Sequence, residues 1–148
     1  MPEALTAVID STVLVSAFLT EGGVSAELLR FAREGVFLVF LSEDILTETE
    51  HTLAYPRIHE RYEYTDADVA DFLHRLRIAA SLVDELPHVT VVRDPNDDMV
   101  IATAVQAHAA YIVTRDNDLL SLQQYEDITI MSPEAFIAIV RERGRLSP

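Results

Sequence analysis

Leu5-Thr6-Ala7-Val8-Ile9-Asp10 and Ala110-Tyr111-Ile112-Val113-Thr114-Arg115-Asp116 decide the fold. Each is an apolar run with the length and composition of a short β-strand, and each ends on an acid. Strands of a parallel sheet are buried on both faces, so they read as near-continuous apolar runs, and ligands collect at their carboxyl ends. Two such strands ending on aspartate predict a carboxylate cluster at one rim of a sheet. Clustered carboxylates point to a divalent metal.

Further runs at 36–41, 89–92 and 128–131 bring the predicted strands to five. Helical periods separate them. Val24, Leu28, Phe31 and Ala32 share one helix face, ended by Gly35. Ser42 caps a helix carrying Ile45, Leu46, Thr49 and Leu53, and Pro56 stops it. Thr65 or Asp66 caps another, with the stripe Val69, Phe72, Leu73, Leu76 and Ala80. Ser132-Pro133-Glu134 opens the last helix, and Arg141-Glu142-Arg143-Gly144-Arg145 reads as its frayed end. This alternation predicts an α/β fold: a single three-layer α/β/α domain over residues 1–148, around a mainly parallel, five-stranded sheet.

With 148 residues the chain can bury a core without staples, and no apolar stretch approaches the ~20 residues of a membrane span. The start of the chain lacks the pattern of a signal peptide, so a soluble, cytoplasmic protein with no membrane association is expected. The absence of cysteine excludes disulfides, thiolate metal sites and cysteine nucleophiles. Against 25 acids stand 11 bases, all of them arginine, for a formal charge of −14. Without lysine there is no Schiff base and no Walker motif. An acidic surface also repels phosphates at long range, which counts against nonspecific nucleic-acid binding; its plainest role is solubility. The five histidines lack the paired spacing of a zinc site.

Asp97 and Asp98 follow the turn signal Asp94-Pro95-Asn96 and precede the helical stripe Val100, Ile101, Ala104, Val105, His108. At 100° per residue Asp97 falls within that stripe and Asp98 at its margin, so Asp97 is expected to face the sheet rim. Taken singly, each acid has an ordinary explanation. Asp97 reads as an N-cap, Glu48 as a solvated glutamate, and Asp118 as the cap of a short helix at 119–122.

Together these positions resemble the PIN-domain nucleases, and within them the VapC-like toxins and their close bacterial relatives. The resemblance lies in Val8-Ile9-Asp10-Ser11-Thr12-Val13-Leu14-Val15-Ser16-Ala17, in Leu41-Ser42-Glu43-Asp44-Ile45-Leu46-Thr47-Glu48 with Leu53 and Pro56-Arg57-Ile58, and in Asp94-Pro95-Asn96-Asp97-Asp98 followed by Ala102-Thr103-Ala104. It continues through Tyr111-Ile112-Val113-Thr114-Arg115-Asp116-Asn117-Asp118-Leu119-Leu120 and the tail Ile128 to Phe136. It implies a catalytic quartet of Asp10, Glu48, Asp97 and Asp116, with Thr12, Thr114, Asp98 and Asp118 accessory. The implied activity is Mg²⁺- or Mn²⁺-dependent cleavage of single-stranded RNA, with an antitoxin protein and a second copy of the chain as partners. Ser11-Thr12 departs from the family's frequent threonine-asparagine pair, so any bond from residue 12 near the scissile phosphate must differ.

In the mechanism this implies, Asp10, Asp97 and Asp116 are metal ligands and Glu48 orients or deprotonates the attacking water. The metal acidifies that water and offsets charge on the leaving oxygen, giving a 5′-phosphate and a 3′-hydroxyl. The alternative is a PIN-like binding module with little or no catalysis, which the acidic balance favours slightly. Other acid-centred enzymes fit less well. A dehalogenase-type phosphoaspartate enzyme needs an acid at position 12, a receiver domain needs lysine, a Toprim nuclease needs glutamate at position 10, and no Gly-x-Gly-x-x-Gly occurs.

Overall fold

Ala7, Val8 and Ile9 are wholly buried, which makes Thr6–Ile9 (β1) the central strand of the sheet. The computed structural model describes residues 4–146. After β1 come α1 (Ser11–Leu19), α2 (Val24–Arg33), β2 (Leu38–Ser42), α3 (Glu43–Leu53), α4 (Pro56–Tyr62), α5 (Asp66–Ala79) and β3 (Ser81–Val83). The second half holds α6 (Pro95–Ala107), β4 (Tyr111–Val113), α7 (Asn117–Leu122), β5 (Gln124–Tyr125), β6 (Ile128–Met131) and α8 (Pro133–Leu146). The strands form one sheet in the order β3-β2-β1-β4-β6-β5, parallel except for β5 against β6, and helices flank it. Among the described residues no single helix is long and apolar enough to cross a membrane.

Register decides what the rim presents. Ile9 pairs with Val113, so β1 and β4 end level and Asp10 lies beside Thr114. The chain leaves β1 toward β2 and β3 on one side, while β4 and β6 lie on the other, so β1 and β4 flank the switch point where ligands collect in open α/β sheets.

Two predicted features hold in detail. Gly35 ends α2 with φ +78°, and the amides of Gly35 and Val36 close back on Ala32 and Phe31. Thr65, rather than Asp66, caps α5 in a reciprocal box with Asp68.

Four expectations are corrected. The sheet has six strands instead of five, because β3 and β5, of three and two residues, are too short to show a pattern. Residues 89–92 have β-like composition but form no strand; the amides of Val91 and Val92 bond to Asp98 instead of a sheet neighbour. The segment Arg141 to Arg145 is not frayed, since α8 runs to Leu146 and Arg141 pairs with Glu27 at 2.7 Å. Helix α6 begins at Pro95, so its N-cap is Asp94 and not Asp97.

Phe136 is fully buried, with ring centroids of Phe37 and Tyr111 at 5.1 and 5.4 Å, and so locks α8 onto the sheet. Truncation there removes both ring contacts and leaves a cavity. Phe136→Ala is expected to lower unfolding free energy by ~3–5 kcal/mol, read from the urea midpoint at unchanged slope. A loss below ~1 kcal/mol would show that the site collapses around the gap.

Candidate metal centre

Asp10 caps α1 and is only 4% exposed. Its Oδ1 accepts the Ser11 amide at 2.8 Å, and its Oδ2 accepts the hydroxyls of Thr12 and Thr114, both at 2.8 Å. Thr114 is fully buried and accepts the Asp116 amide at 2.9 Å, while Thr12 accepts the Arg115 amide at 3.1 Å. Asp116 in turn caps α7, its Oδ1 accepting the amides of Asp118 and Leu119 at 2.8 and 3.2 Å. These bonds fix the turns after β1 and β4 as one unit. Thr12 is thus an internal tie, and its hydroxyl is already engaged as donor and as acceptor. Burial raises the pKa of Asp10, the bonds from Thr12, Thr114 and Ser11 oppose that shift, and the nearby charge of Asp116 adds to it.

The third strut is α6. Asp94 caps it through the Asn96 amide at 2.9 Å, which sets Asp97 and Asp98 in the first turn, where the helix dipole favours acids. These two residues then diverge. Asp98 Oδ1 accepts the Val91 and Val92 amides at 2.8 and 2.7 Å, so it anchors the segment that leads into the helix. Asp97 makes no side-chain hydrogen bond to any described residue, and its Oδ2 is buried without a partner. Burial first, then the charges of Asp116, Asp94, Asp10 and Asp118, push its pKa up to about 7. The ligand atoms of Asp97, Asp116 and Asp118 lie within 4.8 Å of one another.

The structure thus gathers Asp97 and Asp116 as read from the sequence, and adds Asp118, which the sequence left as accessory. Asp10 stands outside that trio but close enough to raise the pKa of Asp97. Glu48, the fourth expected member, is half-buried on α3 and is not part of the trio. Its helix is held in place by Ser42, whose Oγ caps Ile45 at 3.3 Å and accepts the Thr103 hydroxyl from α6 at 3.0 Å. The link between the two helices has little sequence signal: Ser42 reads as the cap of α3, and Thr103 as a polar residue on the otherwise apolar face of α6. A cavity of about 690 Å³ lies elsewhere, between α1, α2 and α5, and none of these acids lines it.

An oxygen-only donor set with one buried, unpartnered carboxylate suits a hard divalent cation, which prefers a few carboxylates and water. The family model described as PIN domain matches residues 6–118. The chain belongs to the PIN-domain family. The uncharacterized protein MJ1680 of Methanocaldococcus jannaschii is 26% identical over 116 residues, covering 78% of this chain and 74% of its own. In fold, the PIN domain is similar to PAE2754 from Pyrobaculum aerophilum, with a TM-score of 0.64 at 12% identity over 93% of this chain and 90% of that one. It is also similar to a chain of VapBC2 from Rickettsia felis, solved bound to a DNA fragment from its promoter, with a TM-score of 0.59 at 11% identity over 85% and 97% of the two chains.

The raised pKa of Asp97 has a signed consequence for the metal-free PIN domain. Below pH ~4 the group is protonated in both folded and unfolded chains and contributes nothing. Between that pH and about 7 the unfolded chain loses the proton and the folded chain keeps it, so stability falls. Above about 7 the whole cost is present. In chelator, the melting temperature of Asp97→Asn minus that of the parent is expected to rise by ~5 °C or more between pH 4 and 8. A difference that stays flat with pH would show that Asp97 ionises freely.

Proposed function

We propose that this PIN domain is a Mg²⁺- or Mn²⁺-dependent endoribonuclease that cleaves single-stranded RNA to a 5′-phosphate and a 3′-hydroxyl. The observation that carries this reading is the bare, buried carboxylate of Asp97 facing Asp116 and Asp118. A polar atom buried without a partner costs stability, and a bound cation would offset that cost. Asp97, Asp116 and Asp118 would hold the ion, with Asp10 contributing through Oδ1, since Oδ2 already takes two hydroxyl donors. The ion would supply Lewis acidity toward an attacking water and the departing oxygen.

The chain's own groups do the rest. Glu48, with no side-chain partner among the described residues, serves as the general base that takes the proton of the attacking water. Thr114 holds Asp10 and the turn carrying Asp116 in one frame, and Asp98 fixes the approach to α6 without touching substrate. The likeness to VapBC2 supports a protein antitoxin as partner; a homodimer as the working form and the cytoplasm as the setting complete this reading. A second reading, a binding module with weak catalysis, draws on the charge of −14, since five described arginines (30, 75, 77, 115 and 141) are already paired with the chain's own acids.

The test is cleavage of a mixed single-stranded RNA pool. Cutting is expected with Mn²⁺ and lost with chelator or in Asp10→Asn. Asp97→Asn is expected to abolish cleavage with the fold intact, while Asp98→Asn retains partial activity and melts lower. Activity in Asp97→Asn but not in Asp98→Asn would reverse the two assignments, and activity in both would remove α6 from the site.

Metal binding has its own readout. Mn²⁺ at ~100 times its Kd is expected to stabilise the parent by ~2.7 kcal/mol, and Asp116→Asn to lose most of that gain. An undiminished shift in Asp116→Asn would place the ion at other residues.

A further inference from the structure

The rim that carries the acids holds one arginine whose charge the fold leaves unused. Arg93 is exposed and pairs with no carboxylate among the described residues. Its place in the chain is fixed on both sides: Asp98 Oδ1 holds the amides of Val91 and Val92 before it, and Asp94 after it caps α6 through the Asn96 amide. Asp94 lies near enough to the cluster for its charge to act on Asp97. Every charge that acts on Asp97 is acidic, so no guanidinium of the fold neutralises the cluster.

Topology sets the other arginines apart. Helix α3 starts at the acid rim after Ser42 and runs for 11 residues, ~16 Å, before α4 begins, so Arg57 and Arg61 lie at its far end. Arg33 ends α2, where the chain enters β2 at the opposite rim, and it lines the cavity between α1, α2 and α5. Arg115 does lie at the acid rim, between Thr114 and Asp116, but Glu134 takes its guanidinium at 2.7 Å. Glu134 is in the first turn of α8, just after β6, and so lies on the β6 side of the cluster. Helix α6 packs over β2, β1 and β4 and receives the chain from β3, which puts Arg93 on the other side. The acid cluster therefore lies between a free arginine and a withheld one. A strand crossing it presents one phosphate to the metal, while the neighbouring phosphates must pass acids that repel them. An arginine at the edge offsets that repulsion, because its planar fork can take two phosphate oxygens at once.

We propose that Arg93 holds the RNA phosphate next to the scissile one, on the α6 side of the acid cluster, and that Glu134 keeps Arg115 from making the matching contact on the β6 side. This rests on the ribonuclease reading above and adds to it one residue that positions the strand and one that limits affinity. It also accounts for how an acidic protein engages a polyanion: attraction is confined to a single point beside the metal.

Binding of a fluorescein-labelled oligouridine to the full chain, followed by anisotropy with Ca²⁺ in place of Mn²⁺, tests these contacts apart from cleavage. Arg93→Gln is expected to reduce the slope of log affinity against log salt by ~0.7, the value for one phosphate on a single strand, and Arg115→Gln to leave it unchanged. Glu134→Gln frees Arg115 and is expected to steepen the slope by ~0.7. Adding Arg115→Gln to that variant is expected to cancel the gain. Asp71→Asn is the control: it breaks the exposed pair with Arg75 on α5 and changes the net charge equally, yet is expected to bind as the parent does. In cleavage assays with Mn²⁺, Arg93→Gln is expected to raise KM and leave kcat unchanged, the pattern of lost uniform binding. A parental slope in Arg93→Gln, or no binding of oligouridine by the parent, would overturn the proposal. An equal gain in Glu134→Gln and Asp71→Asn would overturn the role of Glu134, since net charge alone would then set affinity. If the parent binds oligouridine through Arg93 but cleaves no RNA with Mn²⁺, the nuclease reading fails and the phosphate contact stands.

Discussion

The direct parallel pairing of β1 with β4 is the constraint on which the rest of the rim depends. These strands are more than a hundred residues apart in sequence, yet Ile9 lies opposite Val113, and the Asp10 amide bonds to the Val113 carbonyl at 3.0 Å. Because the two strands stop level, the residues after them meet at once. The hydroxyl of Thr114 donates to Asp10 and receives the Asp116 amide, so one buried side chain spans both turns. A shift of this pairing by one residue would turn every side chain of β4 to the opposite face and take Asp116 out of the cluster.

The acids at the strand ends were legible because a buried strand leaves a continuous apolar run and the acid that closes it interrupts that run sharply. Both Asp97 and Asp98 are buried on α6, and the angular difference read from the period agrees with their separate partners: Asp98 takes the Val91 and Val92 amides, and Asp97 lies with Asp116 and Asp118. Val89 to Val92 misled for a physical reason. Composition reports a taste for extended backbone, which these residues satisfy, whereas strand identity needs a partner strand, and their amides are taken by Asp98. The edge strand β3 follows α5 with only Ala80 between them and is mostly exposed, so it shows neither an apolar run nor alternation. Glu48 and Asp118 exchanged emphasis, because the spacing of residues on separate elements fixes which face they share but not how near their oxygens come.

Charge is where composition gave the coarsest guide. A net −14 suggests uniform repulsion of phosphates, but the arginines are unevenly committed. Arg77 pairs with Glu43 at 2.7 Å across α5 and α3, and Arg115 with Glu134 at 2.7 Å, so these brace the scaffold. Exposed pairs of this kind add little to stability, but they remove cations from the pool available to a ligand. What the surface can attract therefore depends on the few arginines without such partners, a quantity no sequence count contains.

The caps at the rim have a consequence for lineages that abandon the chemistry. Asp10, Asp94 and Asp116 each begin a helix, so a chain under selection for folding alone would keep aspartate, or a capping substitute such as asparagine or serine, at those positions. Asp97 has no such second occupation, and its charge works against the metal-free fold. Among descendants of such a protein, the three caps would persist as fossils of architecture. An aspartate retained at position 97 would be the mark of a living enzyme.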